Sequence, residues 1–262
     1  MSSHAFENRQ RGLALPEHRG EGDTTVVFVH GFLDSGQVWD PVRAGLHSPG
    51  VAAIAPDLPG CGERADHPGP FTLHRLAADL VSTLDGINGP VVLVGQSMGA
   101  PVAELAAVAR PRQVRGLALL TPIPLAGMHL PAETIEPFRS PGDDPAVHKS
   151  MRRRLGPALD DSSLDTLVDS GIRVRPNVIR DLADCWNNGL PDAPRTSDYA
   201  GPVLVMTGGD DPLITSELIA ATVQPRFADL RTVVVDRAGH WPHLERPSVI
   251  AAQLDTFLAP SP

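Results

Sequence analysis

Val91-Val92-Leu93-Val94-Gly95-Gln96-Ser97-Met98-Gly99 is the stretch on which the reading of this chain turns. Its apolar, mostly β-branched opening is the pattern of a strand buried on both faces of a parallel sheet. The Ala100-Pro101-Val102-Ala103-Glu104-Leu105-Ala106-Ala107 run that follows reads as a helix. A strand-to-helix turn this tight needs glycine two residues before and two after its apex, where a Cβ would collide with backbone. The apex residue, Ser97, is thereby forced into a strained conformation. Its hydroxyl stands clear of the sheet at the positive end of the helix.

Working outward, three further strand runs end in residues that could serve such a serine. Thr25-Val26-Val27-Phe28-Val29-His30 leads into Gly31-Phe32, a turn that can aim the Phe32 N–H into the space above the sheet. With the Met98 N–H it would supply two donors for an oxyanion. His30 itself reads as a structural histidine that hydrogen-bonds its own loop. Pro202-Val203-Leu204-Val205-Met206-Thr207 leads into Gly208-Gly209-Asp210-Asp211-Pro212, and Arg231-Thr232-Val233-Val234-Val235-Asp236 into Ala238-Gly239-His240-Trp241-Pro242. Ser97, Asp211 and His240 thus follow one another along the chain, each just past the C-terminal end of a strand. That order is one of the known arrangements of a nucleophile, an acid and a base.

Between these runs the apolar spacing is helical over Thr72 to Gly86 and over Pro247 to Leu258, while Val51 to Ala55 and Val114 to Leu120 read as further strands. Alternating strands and helices imply right-handed crossovers and a doubly wound α/β fold with a mostly parallel sheet. Gly12 to Arg19 is expected to add an antiparallel edge strand, and residues 1–11 a loosely attached tail. From Pro122 to Tyr199 strand signals vanish and short helical patterns replace them, over Leu155 to Leu159, Leu164 to Ile172 and Val178 to Trp186. Residues 122–199 are therefore expected to form a helical cap, inserted into a core of residues 12–121 and 200–262.

Composition narrows the partners. The net charge of −9 argues against nucleic acid and anionic membrane surfaces. No apolar run reaches the roughly 18 residues of a bilayer span. The first ten residues lack the apolar core of a secretory signal, so a cytoplasmic protein is expected. Cys61 and Cys185 make no metal-type spacing and read as free thiols. Arg152-Arg153-Arg154 reads as a solvated helix face, and His243, three residues after His240, as a helix-entry or loop histidine rather than a metal ligand. No cofactor and no metal are called for, and a small-molecule substrate is the expected partner; the oligomeric state is open. Trp39, Trp186 and Trp241 are candidates to line an apolar pocket, with ordinary core packing as the alternative for each.

The motifs His30-Gly31-Phe32, Asp57-Leu58-Pro59-Gly60-Cys61-Gly62, Gly95-Gln96-Ser97-Met98-Gly99, Gly208-Gly209-Asp210-Asp211-Pro212 and Gly239-His240-Trp241-Pro242-His243-Leu244-Glu245 together resemble the α/β-hydrolase family. The resemblance implies a sheet of about eight strands under a helical cap. It implies a catalytic Ser97, Asp211 and His240, with Asp211 preferred to Asp210 because the family's acid stands fourth in Gly-x-x-Asp. Relatives that open epoxides or displace halide carry Asp at the elbow, where this chain has Ser97. The expected activity is carboxylesterase-like, on a small to medium, mostly apolar ester, thioester or lactone. C–C bond hydrolysis, perhydrolysis and a non-catalytic receptor that retains the triad are the alternatives. Gln96 stands where the C–C hydrolases usually have Asn.

Overall fold

The computed structural model describes residues 23–141 and 144–259. The sheet is built from β1 (Thr24–Val29), β2 (Val51–Ile54), β3 (Val91–Gln96), β4 (Val114–Leu120), β5 (Val203–Gly208) and β6 (Leu230–Val235). Every pairing among these six strands is parallel, in the order β2-β1-β3-β4-β5-β6. The resemblance suggests about eight strands; the described residues contain six. The edge strand expected over 12–19 and the tail over 1–11 lie outside the described residues.

Alternation along the strands sorts their side chains to two covered faces. Val27 and Val29 of β1 and Leu93 of β3 pack with α2 (Leu73–Leu84) and α3 (Gly99–Ala109). Val26 and Phe28, with Val92 and Val94, pack instead toward α1 (Asp40–Ala44) and α10 (Pro247–Leu258). α2 follows its sequence pattern closely. Leu73, Leu76, Leu80 and Leu84 are buried, and the Thr72 hydroxyl caps the helix by accepting from the Arg75 N–H at 3.3 Å. α8 (Ser216–Thr222) follows β5, and the short α9 (Pro242–Glu245) precedes α10.

The strand order reverses between β1 and β3. Chain leaving β1 moves outward to β2, and chain leaving β3 moves the other way to β4. The loops after these two strands therefore part and leave a crevice above their C-terminal ends, the usual place for a ligand in an open α/β sheet.

The described residues between β4 and β5 form four helices, α4 (Ala132–Arg139), α5 (Pro145–Leu155), α6 (Asp161–Ile172) and α7 (Pro176–Asn188). The sequence patterns over 164–172 and 178–186 correspond to α6 and α7, whereas α4 and most of α5 were not foreseen. No helix forms over Leu155 to Leu159: α5 stops at Leu155 because Gly156 and Pro157 cannot extend it. Ile135, Val178, Ile179 and Leu182 join the apolar cluster on one face of the sheet, and Leu164 and Leu167 join that on the other. Among the described residues, no helix is long and apolar enough to cross a membrane.

Candidate active site

Sterics place the apex serine. A Cβ on Gly95 would lie 2.5 Å from the Gly99 carbonyl oxygen, and one on Gly99 would lie 2.5 Å from the carbonyl oxygens of Val29 and His30. Only glycine fits at either position. Ser97 between them has φ of 52°, in the left-handed region that non-glycine residues avoid. Leu33, after β1, and Thr121, after β4, also have positive φ, at 59° and 39°. Three neighbouring rim loops thus each hold one strained residue, a pattern that concentrates at functional sites. Gly31 has a different reason from the one its turn suggests. Its φ is not positive, but a Cβ there would strike Gln96 Oε1.

The structure brings Ser97, Asp211 and His240 together. His240 Nε2 is 2.9 Å from Ser97 Oγ, and His240 Nδ1 is 2.8 Å from Asp211 Oδ2. The other Asp211 oxygen accepts from the N–H groups of Leu213, at 2.8 Å, and Ile214, at 3.1 Å. Asp211 is buried while Asp210 is exposed. All three side chains of the set sit under cover, each residue 5% exposed.

The His240 backbone is held from both sides. Its carbonyl accepts from Gln96 Nε2 at 2.9 Å and from the Thr121 hydroxyl at 3.1 Å, tying it to the ends of β3 and β4. Its N–H donates to the Leu155 carbonyl at the end of α5, 2.9 Å away. The Glu245 carboxylate adds a second clamp. It accepts from the N–H groups of Gly239 at 2.8 Å, Trp241 at 3.2 Å and Ala158 at 3.1 Å. Burial raises the Glu245 pKa, and these backbone donors oppose the rise. His30 does what its sequence position suggests: Nδ1 donates to the Gly31 carbonyl at 2.8 Å and Nε2 accepts from the Leu58 N–H at 2.9 Å.

A small cavity of about 30 Å³ opens at Ser97 and His240. Phe32, Ile123 and Leu213 line it from the core, and Phe138, Met151, Leu155 and Trp186 from the inserted helices. Trp186 is flanked edge-on by Phe32 and Phe138, with ring centroids 6.0 and 5.3 Å away. Trp241 is also at the wall, edge-on to His240 at 5.1 Å. Trp39 is not. The single 3-10 turn over Gly36–Trp39 sends its ring down the other face of the sheet, 4.8 Å from Phe28 and stacked 4.3 Å from His243. Met98 is fully buried behind the serine. A wider groove of about 1050 Å³ runs between the loop after β2 and α6, but none of Ser97, Asp211 and His240 lines it.

The arginine run departs from its sequence reading. Arg153 and Arg154 are exposed, but Arg152 is 2% exposed, reaches under α5 to Asp34, and lines the cavity. Successive helical residues are about 100° apart, so three consecutive arginines cannot share one face. Met151 and Leu155 on either side were the available signal. Asp34 and Glu245 carried no such signal. Their importance depends on contacts 118 and 87 residues away in the chain, from Arg152 and Ala158.

His243 is buried at the start of α9 against Trp39, and burial, with His240 nearby, pushes its pKa down to about 3. Cys61 and Cys185 are buried free thiols. Burial raises both pKa values, that of Cys185 to about 12, so neither is a thiolate at neutral pH. Among the described residues no cluster of His, Cys, Asp and Glu has the makings of a metal site.

The comparisons with known proteins agree with this architecture. The chain is 29% identical over 261 residues to lipase LipV of Mycobacterium tuberculosis, a match covering 95% of this chain and 98% of that protein. It is 26% identical to epoxide hydrolase A of the same organism, covering 94% of each. Among solved structures it is similar to a thermophilic esterase from Thermogutta terrifontis, with a TM-score of 0.75 and 25% identity over 90% of this chain and 89% of that one. The model of the alpha/beta hydrolase family matches residues 26–253, nearly the whole of the sheet, the inserted helices and the histidine loop, and the chain is a member of that hydrolase family.

Proposed function

We propose that this hydrolase cleaves carboxylic esters, and the chemically equivalent thioesters and lactones, through an acyl-enzyme on Ser97. The observation that carries the reading is the buried relay Ser97 Oγ–His240–Asp211, with its two links of 2.9 and 2.8 Å. A serine hydroxyl is a weak nucleophile at neutral pH. His240 Nε2 takes its proton as Oγ attacks the carbonyl carbon. Asp211, at Nδ1, keeps the ring in the tautomer that leaves Nε2 free to accept, and stabilises the imidazolium that forms. The Phe32 and Met98 N–H groups receive the negative charge that develops on the carbonyl oxygen. His240 then returns the proton to the departing alcohol, and water repeats the sequence to release the acid.

The similarity to epoxide hydrolases supports the fold rather than their chemistry. A serine that opened an epoxide would be left as an ether, which this relay could not hydrolyse, whereas a serine ester is hydrolysed readily. The cavity wall supports a short acyl or alcohol group with mostly apolar surroundings.

Ser97→Ala is expected to lower kcat/KM for p-nitrophenyl esters by about 10⁴–10⁶ while leaving the fold intact by circular dichroism. Retention of a tenth of the activity would rule Ser97 out as nucleophile. Absence of multiple turnover in the unmutated protein, on esters, thioesters and lactones alike, would favour a binding protein instead.

A further inference from the structure

One corner of the catalytic cavity is more polar than ester hydrolysis itself demands. Asp34 and Arg152 both line it, at 1% and 2% exposure. They form a buried ion pair in which the polar contacts of Arg152 are long. Arg152 lies 3.3 Å from Asp34 Oδ1, 3.2 Å from the Leu33 carbonyl and 3.5 Å from the Phe32 carbonyl. Charge-assisted N–H···O bonds ordinarily measure about 2.7–2.9 Å. Asp34 Oδ1 and Arg152 Nε have no hydrogen-bond partner of proper geometry among the described residues, although both atoms are out of reach of bulk water. Buried polar atoms are nearly always paired, so two unpaired ones on adjacent groups at one cavity wall call for a ligand.

The pair is close to the reacting groups. Trp241 Nε1 donates to Asp34 Oδ2 at 3.0 Å, the Arg152 guanidinium lies 5.2 Å from the centre of the same indole, and that ring meets the His240 ring at 5.1 Å. One aromatic ring therefore separates the ion pair from the base, within a cavity small enough for a short substrate to touch both.

The chemistry of the corner selects its occupant. Asp34 already neutralises Arg152, so a charged ligand group would be buried without a counter-ion. An alkyl chain would leave both atoms unpaired. A carbonyl could accept from Arg152 but offer nothing to Asp34. A hydroxyl donates to the carboxylate and accepts from the guanidinium through a single oxygen, so it matches both unpaired atoms.

We infer that the ester turned over at Ser97 carries a neutral hydroxyl group a few bonds from the scissile carbonyl, hydrogen-bonded to both Asp34 and Arg152. This rests on the ester hydrolase reading and adds the substrate class to it. Matched esters in which a methyl replaces the hydroxyl are the test: methyl 3-hydroxybutanoate against methyl 3-methylbutanoate for the acyl side, and 2-hydroxyethyl butanoate against propyl butanoate for the alcohol side. A site that hydrogen-bonds a hydroxyl discriminates strongly against the analogue lacking it, so kcat/KM should favour the hydroxy member of at least one pair by about tenfold or more. In an Asp34→Leu/Arg152→Met double variant, which leaves no lone buried charge, that ratio should fall toward one. Ratios at or below one for both pairs in the unmutated protein would overturn the inference, as would a preference that survives in the double variant. Binding to Ser97→Ala, followed by tryptophan fluorescence, separates this inference from the one on which it rests. Failure of every ester to turn over would sink the ester reading, while tighter binding of the hydroxy member would still support the polar corner and equal binding would sink that as well.

Discussion

At the scale of single residues, the site depends on which of two adjacent carboxylates reaches the histidine. Asp211 is buried, accepts from two backbone N–H groups and faces His240 Nδ1, whereas Asp210 is exposed. Asp211→Asn should lower kcat/KM by roughly 10³-fold or more, because an amide in that place no longer selects the tautomer that lets Nε2 accept. Asp210→Asn should change it by less than about threefold, as surface substitutions away from the reacting groups usually do little. Kinetics of the two variants on one p-nitrophenyl ester decide the matter, and the opposite ranking would mean that the acid had been misassigned. The serine and histidine were legible because each sits in a motif whose spacing has a steric meaning. Arg152 was not, since a charge run carries no mark of which face a helix will bury.

Single elements then hold those residues in place. α5 reaches from the insertion to the histidine loop, where the Leu155 carbonyl receives the His240 N–H. Glu245 on α9 ties the same loop to Ala158 just beyond α5. Glu245→Ala would leave three backbone donors without their carboxylate, at a cost on the order of 2–4 kcal/mol. We expect the urea midpoint to fall accordingly and kcat to fall about tenfold or more with KM little changed, because the loop that carries His240 loses its anchor while the cavity wall stays. Glu245→Gln, which keeps an acceptor oxygen, should recover part of both. An unchanged kcat in the alanine variant would show that Glu245 serves stability alone.

For the molecule as a whole, His243 sets an acid limit on stability. It is packed on Trp39 and buried, and its pKa is pushed down to about 3 from the ordinary 6.5. The folded protein keeps it neutral, whereas the unfolded chain takes up a proton once the pH drops below about 6.5. Its stabilising effect is therefore complete above that pH and is lost as pH falls toward 3, at up to about 1.4 kcal/mol per unit in that window. His243→Phe, which retains a ring against Trp39 and has nothing to protonate, should flatten the fall of the urea midpoint between pH 6.5 and 4. An unchanged slope would shift the acid sensitivity to other groups.

Local sequence was enough to find the six strands of the described sheet, the order of the residues at their exits and the family. A buried parallel strand is a local pattern, a tight elbow is a local steric demand, and Ser97, Asp211 and His240, each at the exit of a strand of one parallel sheet, must lie on one rim. Which glycines were obligatory, and why, was legible at Gly95 and Gly99; at Gly31 only the packed Gln96 side chain gave the reason. Of the inserted helices, α6 and α7 were legible in their apolar spacing, while α4 and most of α5 came only with the tertiary structure. α4 buries Ile135 and α5 buries His148 and Arg152, so no apolar period marks the inner face of either. The pairing of Asp34 with Arg152, the anchoring of Glu245 and the departure of Trp39 to the far face all join positions distant in the chain. Such contacts exist only after the sheet has brought its loops together, and local sequence cannot encode them.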